Sequence, residues 1–387
     1  MKKSLIALAT LGAFADAAQA QSGVTLYGLV DANIEYVNKV GAVPVAANNF
    51  NRGPAHSVAR LDSGGLSGSR WGLRGTEELG DGLKAVFVLE SGFSTDSGNL
   101  QQSGRLFGRQ SFVGLESDSI GRLTFGRQYT STFDALANFS PAAYSTQYEP
   151  NVLQQGPNYR EDNTVKYTGK FGPITAVAHW SFGVGVALPA TVGVATPIGG
   201  NGEVPGQFRR DTGYGAAAAY GAGPFGATIA YDQWNPTIGT GNGAIKKASV
   251  AASYAFGPAK IMGGYRWGQQ KNNADVLIQR DDFYWIGANY QLTPAVGLTL
   301  EYNYDNLKSL FGDTHVANPW QIAFIASYAF SKRTDVYLST AYAKNAGLTM
   351  ESLATTFASS LSVGNSYALA NGQSSMFGAA VGIRHKF

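Results

Sequence analysis

The sequence predicts an all-β chain, a 16-stranded antiparallel transmembrane β-barrel. Three observations predict it. Apolar and polar residues alternate with a period of two in sixteen separate runs, and the second face of those runs carries charges and amides in place of a second apolar surface. The connections between runs alternate between short turns and long loops, the asymmetry of an outer-membrane barrel. Beyond the first 20 residues no stretch has 18 consecutive apolar residues, so no helical span is expected.

Residues 1–20 stand apart. Lys2 and Lys3 form a charged n-region, Leu5 to Ala15 is an apolar stretch too short to span, and Ala18-Gln19-Ala20 is a small-x-small cleavage site. The expected division is a secretory signal peptide over 1–20 and one barrel over 21–387, with Asp16 an unusual charge beside the cleavage site. Removing the signal takes the balance from 29 basic and 26 acidic residues to 27 and 25. So small a net charge gives no footing for nucleic-acid binding. With no cysteine, the exported chain uses neither disulfides nor thiolate chemistry. The mature chain has no linker, composition break or helical period, and 49 glycines with 12% aromatic and only 14% charged residues suit one large β architecture.

Side chains on a strand change face at every residue, so a strand between two environments alternates. In the first run Val24, Leu26, Val30, Ile34 and Tyr36 share one face, while Thr25, Tyr27, Asp31, Asn33 and Glu35 share the other. Later runs repeat this. Ile174, Ala176, Ala178, Trp180 and Phe182 oppose Thr175, His179 and Ser181; Val296, Leu298, Leu300, Tyr302 and Tyr304 oppose Thr299, Glu301, Asn303 and Asp305. The sixteen runs begin near Gly23, Ser67, Gly82, Arg105, Ile120, Asn163, Pro173, Asp211, Gly223, Lys246, Ala259, Arg280, Ala295, Pro319, Thr334 and Ser374. Each is roughly 9–13 residues, enough for a tilted strand to cross a bilayer.

Short turns are expected at Glu78-Leu79-Gly80-Asp81, Ser117-Asp118-Ser119, Gly172, Gly221-Ala222, Gly257-Pro258, Thr293-Pro294 and Ser331-Lys332-Arg333. Long loops are expected over Val37 to Leu66, Gly183 to Arg210 and Asn345 to Gln373. Phe171, Phe256, Tyr290, Phe330 and Phe387 gather beside the short turns, where aromatic rings suit the membrane–water boundary. A soluble sandwich would also alternate, but its second face would have to be apolar, because unpaired polar groups in a dry core cost about 1–3 kcal/mol each. A barrel of roughly 16 strands instead leaves an aqueous channel.

One stretch breaks the alternation. Gln128 to Arg160 is rich in aromatic, small and polar residues, contains Pro141, Pro150 and Pro157, and sustains neither a strand nor a helix period. A loop of that length without structure of its own is usually functional. It is expected to fold into the lumen and narrow it.

Five motifs in order resemble the general trimeric porins of Gram-negative outer membranes, most closely the β-proteobacterial type. They are Val24-Thr25-Leu26-Tyr27-Gly28, the run Ser69 to Ala85 (SRWGLRGTEELGDGLKA), Arg109 to Leu115 (RQSFVGL), Leu123 to Tyr129 (LTFGRQY) and Gly382 to Phe387 (GIRHKF). The resemblance covers essentially the whole mature chain. It implies a homotrimer of 16-stranded barrels in the outer membrane, a third long loop folded inward, and a passive channel for small hydrophilic solutes and ions. The implied surroundings are outer-membrane lipid and lipopolysaccharide. It further implies that the terminal Phe387 is part of the signal read by the outer-membrane assembly machinery. No cofactor and no metal is implied.

A channel has no reaction to catalyse, so the residues of interest are those facing the constriction. Arg70 shares parity with Arg74 and lies opposite Trp71 and Leu73, so it is expected to point inward. Arg160 shares parity with Lys166 and Lys170, opposite Val165 and Tyr167. Arg109 has no clear parity, because neither neighbouring face is uniformly apolar. By motif, the family's basic wall maps onto Arg70, Arg109 and Arg160, with Arg74 beside them and Lys84 and Arg127 as weaker members. Arg127 has the outward parity of Leu123 and Phe125, unless Gly126 introduces a bulge. Asp134 and Glu149 are the only acids between Gln128 and Tyr159 and are expected to face that wall. Arginine facing sparse carboxylates favours anions, so a weakly to moderately anion-preferring pore is expected.

An enzyme barrel would need a nucleophile–base or metal constellation; His56, His179, His315 and His385 have no metal-ligand spacing in sequence. A substrate-specific channel would line its path with an aromatic slide, and the inward aromatics Tyr27, Phe283, Trp285 and Tyr337 are scattered. The Gly/Ala/Asn-rich outer loops could serve an adhesin, although solvated surface loops are the default.

Overall fold

Hydrogen bonds between the first and last strands close a single antiparallel sheet into a barrel. The computed structural model describes residues 23–43, 49, 51–188, 198–350 and 367–387. The signal-peptide segment and parts of the long loops after Val37, Gly183 and Asn345 lie outside the described residues.

The barrel positions are β1 (Gly23–Val40), β2 in two segments (His56–Ser63 and Arg70–Gly80), β3 (Leu83–Gly92), β4 (Gln110–Ser117), β5 (Gly121–Tyr129) and β6 (Arg160–Phe171). They continue with β7 (Ile174–Ser181), β8 (Thr212–Ala222), β9 (Phe225–Asn235), β10 (Ala244–Phe256) and β11 (Ala259–Lys271). The last five are β12 (Leu277–Gln291), β13 (Val296–Leu310), β14 (Trp320–Ala329), β15 (Thr334–Lys344) and β16 (Ser375–Lys386). Each pairs with the next. β1 pairs with β16 from Leu29 opposite Lys386 to Val37 opposite Gly378, and Gly28 and Phe387 exchange backbone bonds of 3.1 and 3.0 Å that extend this seam.

The two faces divide as the alternation predicts. Ile34 is 67% exposed and its neighbour Glu35 is 1% exposed. Val24, Leu26, Ile229, Leu300 and Val381 are likewise exposed, while Asp31, Asp232, Glu301 and Asp305 are buried inside. Phe171, Phe256, Tyr290, Phe330 and Phe387 are exposed next to the short turns, as a boundary girdle requires.

The expected long loop over Val37 to Leu66 is corrected. β1 runs on to Val40, and His56–Ser63 pairs back onto it, with Ile34 opposite Leu61 and Glu35 opposite Arg60. The second segment of β2 pairs with the lower half of β1, Leu26 opposite Leu73. The six residues between the segments leave the ladder, and the Asp31 carboxylate satisfies the N–H groups of three of them. It accepts the backbone N–H groups of Gly65, Leu66 and Ser67 at 3.1, 3.0 and 2.8 Å and the Tyr337 hydroxyl at 2.6 Å. Charge-assisted acceptance of several N–H groups is what keeps such a break stable. Gly64, Gly65 and Gly68 interrupt the sequence period here, which hides the strand.

The interior is partly filled. Leu136, Phe139, Leu153, Ala251, Phe283, Trp285 and Met350 form one apolar nucleus inside the barrel, and Val184, Leu188, Ile198, Trp234, Ile238 and Ile245 form another. Four two-residue strands, at Ala187–Leu188, Ile198–Gly199, Thr237–Ile238 and Gly241–Asn242, pair into a small sheet of their own.

Candidate functional site: the constriction

The segment between β5 and β6 crosses the barrel interior. It has local structure that its sequence period did not reveal: α1 (Ser131–Leu136), a 3₁₀ turn (Ala137–Phe139) and α2 (Asn151–Gln155). Thr130 caps α1 by accepting the Phe133 N–H. Helices this short are not stable alone; the wall holds them.

The wall contacts trace the loop's path. Trp285 Nε1 donates to the Phe139 carbonyl at 2.8 Å, and Asn289 Nδ2 to the Pro141 carbonyl at 2.8 Å. The tip reaches the far side, where Gln147 Nε2 donates to Asn33 at 2.8 Å, the Tyr148 hydroxyl to Glu35 at 2.8 Å, and Gln321 Nε2 to the Tyr148 carbonyl at 2.7 Å. On the return, Arg266 Nε donates to the Leu153 carbonyl at 2.7 Å and Lys247 Nζ to Asn158 Oδ1 at 2.5 Å. The loop is thus fixed along β7 to β14 and β1. The arginines stand on the remaining arc, β2 to β6.

On that arc one carboxylate and one phenol organise three guanidinium groups. Glu90 on β3 accepts from Arg109 Nε at 2.7 Å and from the Tyr27 hydroxyl at 3.0 Å, with Arg70 Nε at 3.9 Å. The Tyr129 hydroxyl accepts from Arg109 at 3.0 Å and Arg160 at 3.2 Å. Arg160 also donates to the Tyr159 hydroxyl at 2.9 Å and lies 4.8 and 4.6 Å from the Tyr129 and Tyr159 ring centres. Such cation–π contacts contribute about 0.5–2 kcal/mol each. Phe133 stacks on Tyr129 with centroids 3.8 Å apart and continues to Tyr144 and Tyr159, joining the loop to the basic wall. Three cations against one anion leave a net charge of about +2.

Of the expected wall residues, Arg70, Arg109 and Arg160 come together around Glu90 and Tyr129. Arg109 points inward although parity could not decide it, because the chain has not yet entered the β4 ladder, which starts at Gln110. Arg127 also turns inward. Gly126, at φ +126°, opens a register shift between Gly126 and Gln128, and Arg127 then reaches Asp162 at 2.7 Å and the Gly108 carbonyl at 2.7 Å. It forms a second basic pair with Arg105, which binds Asp162 at 2.8 Å. Arg74 is exposed, its guanidinium 5.3 Å from the Tyr27 ring centre. It lies four residues from Arg70, about 13 Å along the strand.

Two expectations are corrected. Lys84 is at the short-turn rim, 3.5 Å from Glu78 and 3.7 Å from Asp118; inward parity put it in the lumen but could not give its height. Glu149 does not face the wall. It is 2% exposed, accepts from the Ser145 N–H at 2.8 Å and is also bonded to the Ser140 hydroxyl, inside the loop's own fold. Burial pushes its pKa up to about 7. Asp134 is partly exposed and bonded to Lys166 Nζ at 2.8 Å. Sequence reasoning missed Tyr159, Arg105 and Asp162 as members. Tyr129 and Arg160, at opposite ends of the loop, pair directly across β5 and β6, and an aromatic and an arginine closing a long loop was the available signal.

A family model described as Gram-negative porin matches residues 5–348. An outer membrane porin protein of Bordetella pertussis is 34% identical over 377 residues, covering 89% of this chain and 95% of its own. Outer membrane porin protein 32 of Delftia acidovorans is 32% identical over 398 residues, covering 100% of both chains. Among solved structures, one described as an anion-selective porin from Comamonas acidovorans superposes with a TM-score of 0.73 at 27% identity, over 95% of this chain and 100% of that one.

Proposed function

Because the chain belongs to the Gram-negative porin family and forms an outer-membrane channel, we propose that it is a passive diffusion pore for small hydrophilic solutes with a weak to moderate preference for anions. The observation that carries the sign is where the inward acids go. Asp31 is occupied by the break in β2, Glu35 by Arg60, Tyr148 and Tyr367, and Glu149, Glu301 and Asp305 are buried beneath or within the loop. The basic arc keeps its excess. The Arg70 side chain is 27% exposed, and among the described residues its polar contacts are the Gly68 carbonyl at 3.5 Å and Glu90 at 3.9 Å. An exposed guanidinium in a narrow lumen raises the local concentration of anions. The relative described as anion-selective supports the same sign.

The working unit in this reading is a homotrimer exported with a signal peptide over 1–20, and Phe387 serves as the assembly signal; the trimer and the role of Phe387 are carried over from the family. The test is the reversal potential of single channels in a salt gradient. Arg70→Ala with Arg109→Ala should move it toward cations, and an unchanged value sinks the assignment of the cluster. Conductance blocked saturably by one solute would favour a substrate-specific channel instead.

A further inference from the structure

We propose that Glu161, His179 and Asp232 form a binding site for a divalent first-row transition ion at the root of the constriction loop, independently of the pore's ion preference. The three lie on β6, β7 and β9 and are brought together by one gap in the wall. His179 and Asp232 both stand opposite Gly215 of β8, one on each side. A Cβ at Gly215 would be 2.7 Å from His179 Cε1, and one at Gly213 would be 2.4 Å from Glu161 Oε1. The two glycines therefore provide the space into which the three side chains converge.

The geometry suits a set of metal ligands. Glu161 Oε2, His179 Nε2 and Asp232 Oδ2 all lie within 4.8 Å of one another, with Nε2 3.2 Å from Glu161 and 3.8 Å from Asp232. Tetrahedral zinc with bonds of about 2.0–2.1 Å sets its ligand atoms about 3.4 Å apart. All three side chains are fully shielded from solvent, and among the described residues these three atoms have no hydrogen-bond partner beyond their approach to one another. The opposite atom of each group is tied down. Asn158 Nδ2 donates to Glu161 Oε1 at 2.8 Å and to Asp232 Oδ1 at 2.9 Å, and Lys247 lies 3.0 Å from Asp232 Oδ1. His179 Nδ1 meets the Ser131 hydroxyl at 2.8 Å and the Ser131 N–H at 3.1 Å. Outer contacts that fix orientation and leave the inner atoms bare characterise a metal site. Two carboxylates and one ammonium leave one negative charge uncompensated beside the imidazole.

One nitrogen with two carboxylate oxygens favours a borderline ion such as zinc over calcium or magnesium, which take more oxygen ligands. Without metal, the Nε2 proton faces Glu161 and Nδ1 accepts the Ser131 N–H. Metal binding moves that proton from Nε2 to Nδ1: Nε2 offers its lone pair, Nδ1–H donates to the Ser131 hydroxyl, itself 3.4 Å from the Gly215 carbonyl, and the Ser131 N–H gives up Nδ1 as its acceptor. Ser131 begins the loop and Asn158 ends it, so the ion would staple both ends of the constriction to the wall.

The experiment refolds the full mature chain with zinc chloride or with chelator, removes free metal, and measures zinc per chain and the denaturant midpoint of unfolding. About one zinc per chain and a higher midpoint are expected for the wild type. Asp232→Asn keeps the side-chain shape and should weaken binding at least tenfold; Gly215→Ala should abolish it by filling the gap. A wild type that keeps no zinc overturns the proposal, whatever the variants do. So does zinc bound equally by Asp232→Asn, which would place it on the exposed histidines.

Discussion

Replacing Glu149 by Gln separates a buried loop acid from a pore acid. The carboxyl titrates near 7 against an ordinary 4.5 because the loop closes over it. At about 1.4 kcal/mol per pH unit, that difference corresponds to about 3 kcal/mol. Its sign follows from proton counting. Between about pH 4.5 and 7 the unfolded chain has lost this proton and the folded chain still holds it, so stability falls as pH rises through that window and levels off above it. Glu149→Gln cannot ionise and should flatten the slope. It keeps one carbonyl oxygen for the Ser140 hydroxyl or the Ser145 N–H, so part of the gain above pH 7 is lost to one poorly matched donor, about 1 kcal/mol. The assay is the denaturant midpoint of the refolded barrel from pH 4 to 8, with the single-channel reversal potential measured beside it. The variant should shift the midpoint profile and leave ion preference alone. An unchanged pH slope, or a change in selectivity as large as that of an Asp134 variant, would refute the buried placement.

Three further outcomes are expected. Asp134→Asn frees Lys166 from its 2.8 Å partner and should move the reversal potential further toward anions; an unchanged potential would mean that neither group senses the pore. Trp285→Phe leaves the Phe139 carbonyl without its 2.8 Å donor and should cost about 1–3 kcal/mol, read as a lower unfolding midpoint and noisier open-channel current. Gly126→Ala puts a side chain at φ +126°, where its Cβ would meet the Ser111 carbonyl at 2.3 Å. It should destabilise the barrel by more than 1 kcal/mol and pull Arg127 away from Asp162; a variant as stable as wild type would show that the bulge does not need glycine.

What the sequence by itself determined is which face each strand residue takes. Parity is a local property: a side chain's direction depends only on whether its residue is odd or even within an unbroken strand. That sufficed for Ile34 outside and Glu35 inside, for the aromatic girdle at Phe171 and Phe330, and for the inward course of Arg70. It failed wherever the ladder breaks, at Arg109 before β4, at Arg127 after the Gly126 bulge, and at His56–Ser63 beyond three nearby glycines. Only the tertiary structure decided depth and company. Glu149 could be counted as one of two loop acids, but its burial depends on how the loop turns back on Ser140 and Ser145. His179 had no metal-ligand spacing in the chain, yet register across four neighbouring strands sets it beside residues 161 and 232. Strand pairing and the path of a loop across the lumen are long-range relations, fixed by hydrogen-bond register and packing that no local period encodes.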